Sequence, residues 1–239
     1  INYEIKKLVY DLYYEDYAKI IFSQNEFTLD YKDTSKFHGM LYLIGKVNLE
    51  GFEKNIEKSD LYNTQRGLCR LTNKYMTRKE KFRVHKHTEN IILTFTTNNT
   101  PYLSYTEKKL YCKFQKLIDN VLKSLQDIFN YENPVVIKLM FSKLLPRGEI
   151  SKHIDEAEIL RIVQRIHVPL VTNSDVTVTI NNKKYKMETG KIYNFNNTLS
   201  HSVVNNSDME RVHLIIDYVD QKVLDLLNIK IEETDILVF

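Results

Sequence analysis

The 239-residue sequence lacks features that mark several classes of protein. It contains no tryptophan, two cysteines, six glycines and four prolines. Cys69 and Cys112 lie far apart without Cys-x-x-Cys spacing, so we expect reduced thiols rather than a disulfide framework or a zinc site. No apolar run of about 18 residues occurs, and residues 1–20 carry charges throughout, so neither a membrane span nor a signal peptide is supported. We therefore expect a cytoplasmic protein.

The charges are nearly balanced, with 34 basic against 31 acidic side chains. This balance gives no electrostatic reason to expect a nucleic-acid partner. The basic segment 76–87 (MTRKEKFRVHKH) is a local exception, and a run of this size is most often a solvated face. Because 43% of the residues are hydrophobic, the chain can bury a core.

The first half of the chain mixes predicted helices and strands. Residues 104–129 have apolar side chains at helical spacing, and Ser104 with Glu107 fits a capping box. Residues 3–22 also show helical spacing, and two predicted strands occupy residues 38–49 and 90–98.

Short strands dominate after Pro134. The predicted strands are 135–145, 160–171, 175–180, 183–188, 191–195, 201–205 and 211–219. Turn residues rich in Asn, Gly and Pro separate them, which is typical of an antiparallel sandwich or barrel. We therefore predict an α+β, mainly β fold with flanking N-terminal helices and a C-terminal helix. Residues 1–130 form a helical or mixed region that acts as substrate lid or support, packed with the core (131–239) as one compact unit.

Three residues are candidate metal ligands. His153 and Asp155 are two residues apart, so in extended backbone both side chains leave one face of the chain. His201 follows a predicted strand and its loop, and is the best candidate for a third ligand. Two imidazoles and one carboxylate form the facial triad of non-haem Fe(II) oxygenases, which leaves adjacent metal positions open. The alternative is that all three are ordinary loop and surface residues.

Two predicted strands carry an Arg and a His on one face. Period-two alternation places Arg165 beside His167, and Arg211 beside His213. A buried arginine needs an anion to accept its donors, so the pattern predicts a dicarboxylate or phosphate-like ligand. The alternative is an exposed sheet face, which we expect for Arg161.

Four segments combine these residues at specific spacings. The segments are SKLLPRGEISKHID, RIHVPL, GKIYNFNNTLSHSVVNNS and ERVHLIIDY. Ser142 lies eleven residues before His153, and Arg211 lies ten after His201. The region from about 135 to 219 resembles the aspartyl/asparaginyl β-hydroxylase family of Fe(II)- and 2-oxoglutarate-dependent oxygenases, nearest to the branch of free-proline hydroxylases.

The resemblance implies a double-stranded β-helix (jelly-roll or cupin) with iron at its open end. The implied iron ligands are His153, Asp155 and His201. A carboxylate at position 155 places the chain nearer the small-molecule hydroxylases. The sequence departs from many relatives in having Asn196 and Asn197 after Phe195, where acidic residues are common.

The resemblance also implies the cosubstrate site and the reaction. Arg211, helped by Ser142, would hold the far carboxylate of 2-oxoglutarate, while Arg165 and His167 would orient its chelating end. The implied reaction uses O2 to hydroxylate a C–H bond of a free amino acid or small polar molecule and releases succinate and CO2. Ascorbate is a candidate reductant.

Several alternatives stay open. A protein or peptide side chain is a second substrate class. A nucleic-acid-modifying oxygenase would use the basic segment 76–87, and a non-catalytic cupin-like module would bind metal without turnover. The histidines of RVHKH (83–87) form either a second metal site or a polar strand or loop.

Overall fold

The computed structural model describes residues 41–49, 84–97, 102–106, 108–155 and 157–235. Twelve strands lie within these ranges: β1 (Leu41–Lys46), β2 (Thr88–Thr96), β3 (Tyr102–Thr106), β4 (Pro134–Leu144), β5 (Glu149–His153), β6 (Gln164–Val171), β7 (Val176–Ile180), β8 (Lys183–Tyr185), β9 (Lys191–Phe195), β10 (His201–Asn205), β11 (Arg211–Asp220) and β12 (Ile231–Asp235). A long helix, α1 (Lys108–Phe129), and a short one, α2 (Gln221–Leu226), accompany them. The helix predicted at residues 3–22 lies outside the described residues.

The strands form two sheets. The large sheet has the order β1-β9-β6-β11-β4-β2-β3-β12, and the small sheet has the order β5-β10-β7-β8. Strands β4 to β11 are divided between the sheets, with β4, β6, β9 and β11 in the large one and β5, β7, β8 and β10 in the small one. The chain therefore winds repeatedly from one sheet to the other, and its pairings within this segment are antiparallel. This winding is a double-stranded β-helix, which confirms the predicted mainly β, jelly-roll fold.

Tight turns hold the strands together where the sequence has turn residues. Asn181 and Asn182 have φ angles of +45° and +64°, so both occupy the left-handed region in the two-residue turn between β7 and β8. Gly190, with a φ of +75°, precedes β9, and its N–H donates to the carbonyl of Pro169 at 2.9 Å. These residues tolerate the left-handed region at low steric cost.

Local sequence patterns misplace some element boundaries. The predicted capping box is wrong, because Ser104 lies within β3 and α1 begins at Lys108. The predicted strand 160–171 starts later, because Glu158–Arg161 forms a 3-10 turn in which Arg161 is exposed, as expected. Strands β3, β5 and β12 were not predicted. In β5 (EISKH) only Ile150 is buried, so the segment lacks the alternation that marks a strand.

One core lies between α1 and the outer face of the large sheet. The apolar stripe of α1 contributes Ile118, Val121 and Leu125, none of which is exposed. Strand β11 contributes Leu214 and Ile216 to the same core. Burying each such side chain stabilises the fold by about 1.5–3 kcal/mol. Because strand side chains alternate, the residues between them on β11 point to the other side of the sheet.

A second core lies between the two sheets. Its buried residues are Leu144, Ile150, Val176, Val178, Ile180, Met187, Tyr193, Phe195 and Val203. The remaining interior surface of the large sheet carries the polar side chains described below. Apolar and polar side chains therefore share the interior, where Leu144 is the register partner of Arg211.

The parts of the chain on either side of residue 130 contribute to one sheet. Strands β1, β2 and β3 precede this position, and each pairs within the large sheet. The division at residue 130 stays a prediction. The predicted C-terminal helix corresponds to α2, whose first turn is capped by the Asp220 side chain accepting from the Lys222 N–H. No helix in the described ranges is long and apolar enough to cross a membrane. Cys112 is a free, exposed thiol, and Cys69 lies outside the described residues.

Candidate metal centre

The structure brings the three predicted metal ligands together. His153 ends β5 and His201 begins β10, and the two residues are direct partners in the antiparallel register. Their ring centroids are 4.2 Å apart. Asp155, two residues further along, places its Oδ1 3.7 Å from His153 Nε2. One ligand atom from each of the three residues lies within 4.8 Å of the other two.

Backbone carbonyls orient both imidazoles. His153 Nδ1 lies 2.8 Å from the carbonyl oxygen of Ser151, and His201 Nδ1 lies 2.8 Å from that of Leu199. Because a carbonyl only accepts, each Nδ1 carries the hydrogen, which leaves the lone pair of Nε2 for a metal. Burial, with help from neighbouring His153, lowers the pKa of His201 to about 4. His201 is therefore neutral at pH 7.

Asp155 is held as a carboxylate by its surroundings. Burial alone would raise the pKa of Asp155, but Arg165 and Lys138 outweigh it and lower this pKa well below its usual range. Arg165 Nη1 donates directly to Asp155 Oδ2. The backbone N–H of Asp155 donates to the carbonyl of Asn197 at 3.3 Å, and the Asn197 amide donates to the Leu160 carbonyl at 2.8 Å. Asn197 thus fixes the loop that carries Asp155.

Arg165 also binds a second carboxylate, which the sequence reading missed. Its Nε and Nη2 donate to Asp217 Oδ1 and Oδ2 at 2.6 and 2.8 Å. Asp217 is 0% exposed and is the register partner of Arg165 on β11. Lys138 lies on the other side of Asp217, with Nζ 3.7 Å from Oδ2. Alternation along β11 places Asp217 on the same face as Arg211, so period-two spacing was an available signal.

Arg211 and two histidines form a second polar group in the interior. Arg211 Nη2 donates to His213 Nδ1 at 2.7 Å, because a guanidinium has only donors. His167 Nδ1 lies 3.3 Å from the same nitrogen and therefore also donates to it. Burial lowers the pKa of both histidines well below 6.5, so both are neutral at pH 7. His213 was predicted on the same strand face as Arg211, but no role was predicted for it.

This group contains donors without acceptors. Arg211 is 1% exposed, and burial lowers its pKa to about 9, so it is still a cation at pH 7. No carboxylate pairs with Arg211 in the described part of the chain. Its Nε and His213 Nε2 are buried without a hydrogen-bond partner there. Such buried donors are costly, and they indicate a place for an acidic ligand.

Aromatic contacts connect the two groups. The His167 ring stacks on Phe195 at 4.7 Å, and Phe195 contacts His201 edge-on at 5.0 Å. Ser142, which is buried, is the register partner of His213 on β4. The predicted residues Ser142, Arg165, His167 and Arg211 therefore lie on β4, β6 and β11, which are adjacent strands of the large sheet.

The histidines of the RVHKH segment have separate contacts. The His85 ring is edge-on to His153, with centroids 5.2 Å apart. His87 Nδ1 accepts from the Glu149 N–H at 3.1 Å, which ties this turn to the start of β5. His85 is thus a neighbour of the triad that the sequence did not associate with it, because nothing in local spacing connects it to His153.

The donor set fits a divalent metal of the first transition row. Two imidazole nitrogens and one carboxylate oxygen lie within 4.8 Å of one another, and this is the donor set that holds Fe(II) and leaves other positions for ligands. A jelly-roll that carries this triad defines a class, the non-haem metal-dependent oxygenases. A family comparison then assigns the chain within it.

The family model for aspartyl/asparaginyl β-hydroxylase matches residues 76–221. The chain belongs to this family and is an oxygenase enzyme of the hydroxylase type. No curated protein matches the chain.

Several solved structures are distantly similar to this chain. An oxidoreductase of the 2OG-Fe(II) oxygenase family from Burkholderia pseudomallei is 12% identical, covers 56% of this chain and 69% of its own, and has a TM-score of 0.44. The viral collagen prolyl hydroxylase of Paramecium bursaria Chlorella virus-1, in complex with 2OG, is 14% identical over 43% and 71% of the two chains, with a TM-score of 0.36. The non-heme monooxygenase ThoJ, in a nickel complex, is 10% identical over 77% and 74%, with a TM-score of 0.46.

Proposed function

We propose that this protein is an Fe(II)- and 2-oxoglutarate-dependent dioxygenase that hydroxylates a C–H bond of a free amino acid or a similar small polar molecule. Succinate and CO2 are the proposed coproducts. The observation that carries the proposal is Arg211, a buried cation with no carboxylate partner in the described residues, on the inner face of a barrel that also holds the metal triad.

The metal would be held by His153, Asp155 and His201. The two imidazoles present Nε2, because their Nδ1 atoms donate to backbone carbonyls. Asp155 presents Oδ1, because Arg165 binds its Oδ2. When bound, iron supplies O2 activation driven by oxidation of the cosubstrate.

The far carboxylate of 2-oxoglutarate would bind Arg211. Two buried donors, Arg211 Nε and His213 Nε2, support this assignment because a carboxylate has two oxygens to accept them. Ser142 adds a hydroxyl at the register position facing His213. An acidic ligand would also neutralise Arg211, which has no carboxylate partner among the described residues.

The chelating end of the cosubstrate would meet Arg165 and His167. The three hydrogen bonds of Arg165 to Asp155 and Asp217 use its Nε–H and one N–H of each terminal nitrogen, which leaves two N–H groups for a ligand. His167 donates through Nδ1, so its Nε2 can only accept and cannot hydrogen-bond the oxygens of the cosubstrate. His167 contacts His213 and stacks on Phe195, so it would shape the space for the cosubstrate by packing.

The chain's own contribution is orientation and exclusion of water. The apolar side chains between the sheets exclude water from the space around the triad, where Phe195 contacts both His167 and His201. Burial keeps His201 neutral and Arg165 keeps Asp155 ionised, so neither of these two ligands must lose a proton at pH 7.

The substrate class rests on the resemblance to the free-proline hydroxylases and on the carboxylate at position 155. His85, which contacts His153 from the turn before β2, is placed to contact a substrate at the triad. If peptides rather than free amino acids stimulate turnover, the substrate is a peptide side chain and this substrate class is replaced.

An anaerobic titration with Fe(II) and 2-oxoglutarate tests the cosubstrate assignment. We expect the visible charge-transfer band of a chelated complex to appear only when both are present. Succinate release in air would then be measured across free amino acids and, separately, across peptides containing Asp, Asn or Pro. Absence of the band at saturating concentrations would indicate that the protein is a metal-binding module without turnover. Succinate release stimulated by DNA or RNA, lost at high salt, would indicate a nucleic-acid substrate instead.

A further inference from the structure

The metal ligand Asp155 and the central-strand residue Asp217 share one arginine. Arg165 forms a two-pronged contact with Asp217 and a single contact with Asp155. All three side chains are largely shielded from water, with side-chain exposures of 10% for Arg165, 16% for Asp155 and 0% for Asp217. In such surroundings each contact is both strong and directional.

The contact with Arg165 determines which oxygen of Asp155 is available. Oδ2 accepts from the guanidinium, whereas Oδ1 lies 3.7 Å from His153 Nε2, on the side of the triad. A free carboxylate on this loop could rotate about its terminal bond or offer both oxygens. With Oδ2 occupied, Asp155 offers a metal one oxygen in one orientation.

Asp217 determines where the guanidinium points. It belongs to β11, which has β6 on one side and β4 on the other, so its backbone is fixed by two ladders. Its two oxygens accept in parallel from Nε and Nη2 of Arg165, which fixes the plane of the guanidinium and directs Nη1 at Asp155. Lys138 Nζ, 3.7 Å from Asp217, supplies a second cation, so two carboxylates face two cations.

We propose that Asp217 is a positioning residue for the metal ligand Asp155 and acts through Arg165. The proposal rests on the proposed function in one respect, namely that Asp155 binds the metal. It extends the role of Arg165 beyond contact with 2-oxoglutarate, and it gives Asp217 a role in metal affinity rather than in folding alone.

Cobalt(II) titration of the protein without cosubstrate tests the proposal, because visible absorption reports both affinity and coordination geometry. We expect Asp217→Asn to weaken Co(II) binding by about 10- to 100-fold, the usual effect of removing a group that orients a metal ligand. Its Co(II) spectrum should also change, because Asp155 is no longer held to one oxygen. A purely structural role for Asp217 would lower the melting temperature and leave both readouts at wild-type values in the folded protein, and this result would overturn the proposal.

Arg147 and Asp208 provide a matched control. They form the same two-pronged contact, at 2.8 and 2.9 Å, but on the surface, where Asp208 is 85% exposed. We expect Asp208→Asn to bind Co(II) as the wild type does.

Arg165→Lys keeps the charge but lacks the planar guanidinium, so it cannot make the two-pronged contact with Asp217 and direct a third N–H at Asp155, and it separates positioning from charge balance. We expect it to weaken Co(II) binding as Asp217→Asn does, and it carries the test if Asp217→Asn fails to fold. Wild-type affinity in Arg165→Lys would contradict the proposal.

A double-mutant cycle identifies the residue through which Asp217 acts. In an Asp155→Asn background, Asp217→Asn should have little further effect on the Co(II) affinity, since the oriented ligand is already gone. Equal losses in both backgrounds would show that Asp217 does not act on Asp155. Failure of the proposed function is a different result, because the wild-type protein would then bind Co(II) at the triad but give no charge-transfer band with Fe(II) and 2-oxoglutarate.

Discussion

Arg211 and His213 share a hydrogen bond of 2.7 Å in the interior of the jelly-roll, and neither has a carboxylate partner in the described residues. A buried cation whose main neighbour is a neutral imidazole is destabilising by itself. The arrangement is therefore better explained by binding of an acidic ligand than by stability of the free protein.

Replacing Arg211 should separate stability from binding. In Arg211→Met, we expect the free energy of unfolding of the ligand-free protein to stay the same or rise, because an unpaired buried charge is removed. The affinity for 2-oxoglutarate should fall by about 2–5 kcal/mol, the range for truncating one partner of a buried charge pair. Urea unfolding and the anaerobic Fe(II)–2-oxoglutarate titration measure the two effects. Arg161→Met, at an exposed arginine, should change neither, and normal cosubstrate affinity in Arg211→Met would remove the assignment of Arg211.

The two histidines of the triad should be indispensable for metal binding. We expect His153→Ala and His201→Ala to abolish the charge-transfer band, because each removes an Nε2 ligand. His87→Gln is a suitable control, since its ring accepts from the Glu149 N–H and lies outside the triad. A band of wild-type intensity in either alanine variant would show that the metal binds elsewhere.

Acid should destabilise the metal-free protein through its buried neutral histidines. Burial lowers the pKa of His167 and His213 well below 6.5, whereas each has an ordinary pKa of about 6.5 in the unfolded chain. The unfolded state therefore binds more protons below about pH 7, so the free energy of unfolding falls as the pH falls through 6.5 and below. The limiting slope is about 1.4 kcal/mol per pH unit for each histidine. The contribution of Asp155, whose pKa is also lowered, is lost only near and below its ordinary pKa of about 4.

Urea unfolding at pH 7.5, 6.5 and 5.5 measures this slope. We expect His213→Asn to have a shallower slope than the wild type, whatever its stability at pH 7.5. An unchanged slope would mean that His213 does not contribute to the pH dependence.

Gly148 should not tolerate a side chain. A Cβ at this position would lie 2.8 Å from the Leu145 carbonyl oxygen and 2.9 Å from His87 Cβ. Because backbone supplies one of these contacts, Gly148→Ala should destabilise the protein by about 1–3 kcal/mol, the usual cost of overpacking. Thermal or urea unfolding measures the loss, and wild-type stability would mean that the turn around His87 can move aside.

Much of the fold could be predicted because strands carry local signals. Strands β9 and β10 match their predicted bounds, 191–195 and 201–205, and the Asn181–Asn182 turn is a sequence signature of its hairpin. Strand β5 could not be predicted, because it presents a metal ligand rather than an alternating apolar face. Ser104 was misread because its spacing to Glu107 fits a helix cap, whereas pairing with β2 and β12 places it in a strand.

For the site, the sequence by itself determined the types of residue and their faces. The His-x-Asp pair and His201 indicated a metal, and the Arg and His residues on β6 and β11 indicated an acidic ligand; their roles in binding 2-oxoglutarate stay predictions. Only the tertiary structure decided the partners. Arg165 and Asp217 are 52 residues apart, and His85 meets His153 across 68 positions. Such pairs depend on the register between strands and on the route of the chain between two sheets, and local periodicity contains neither.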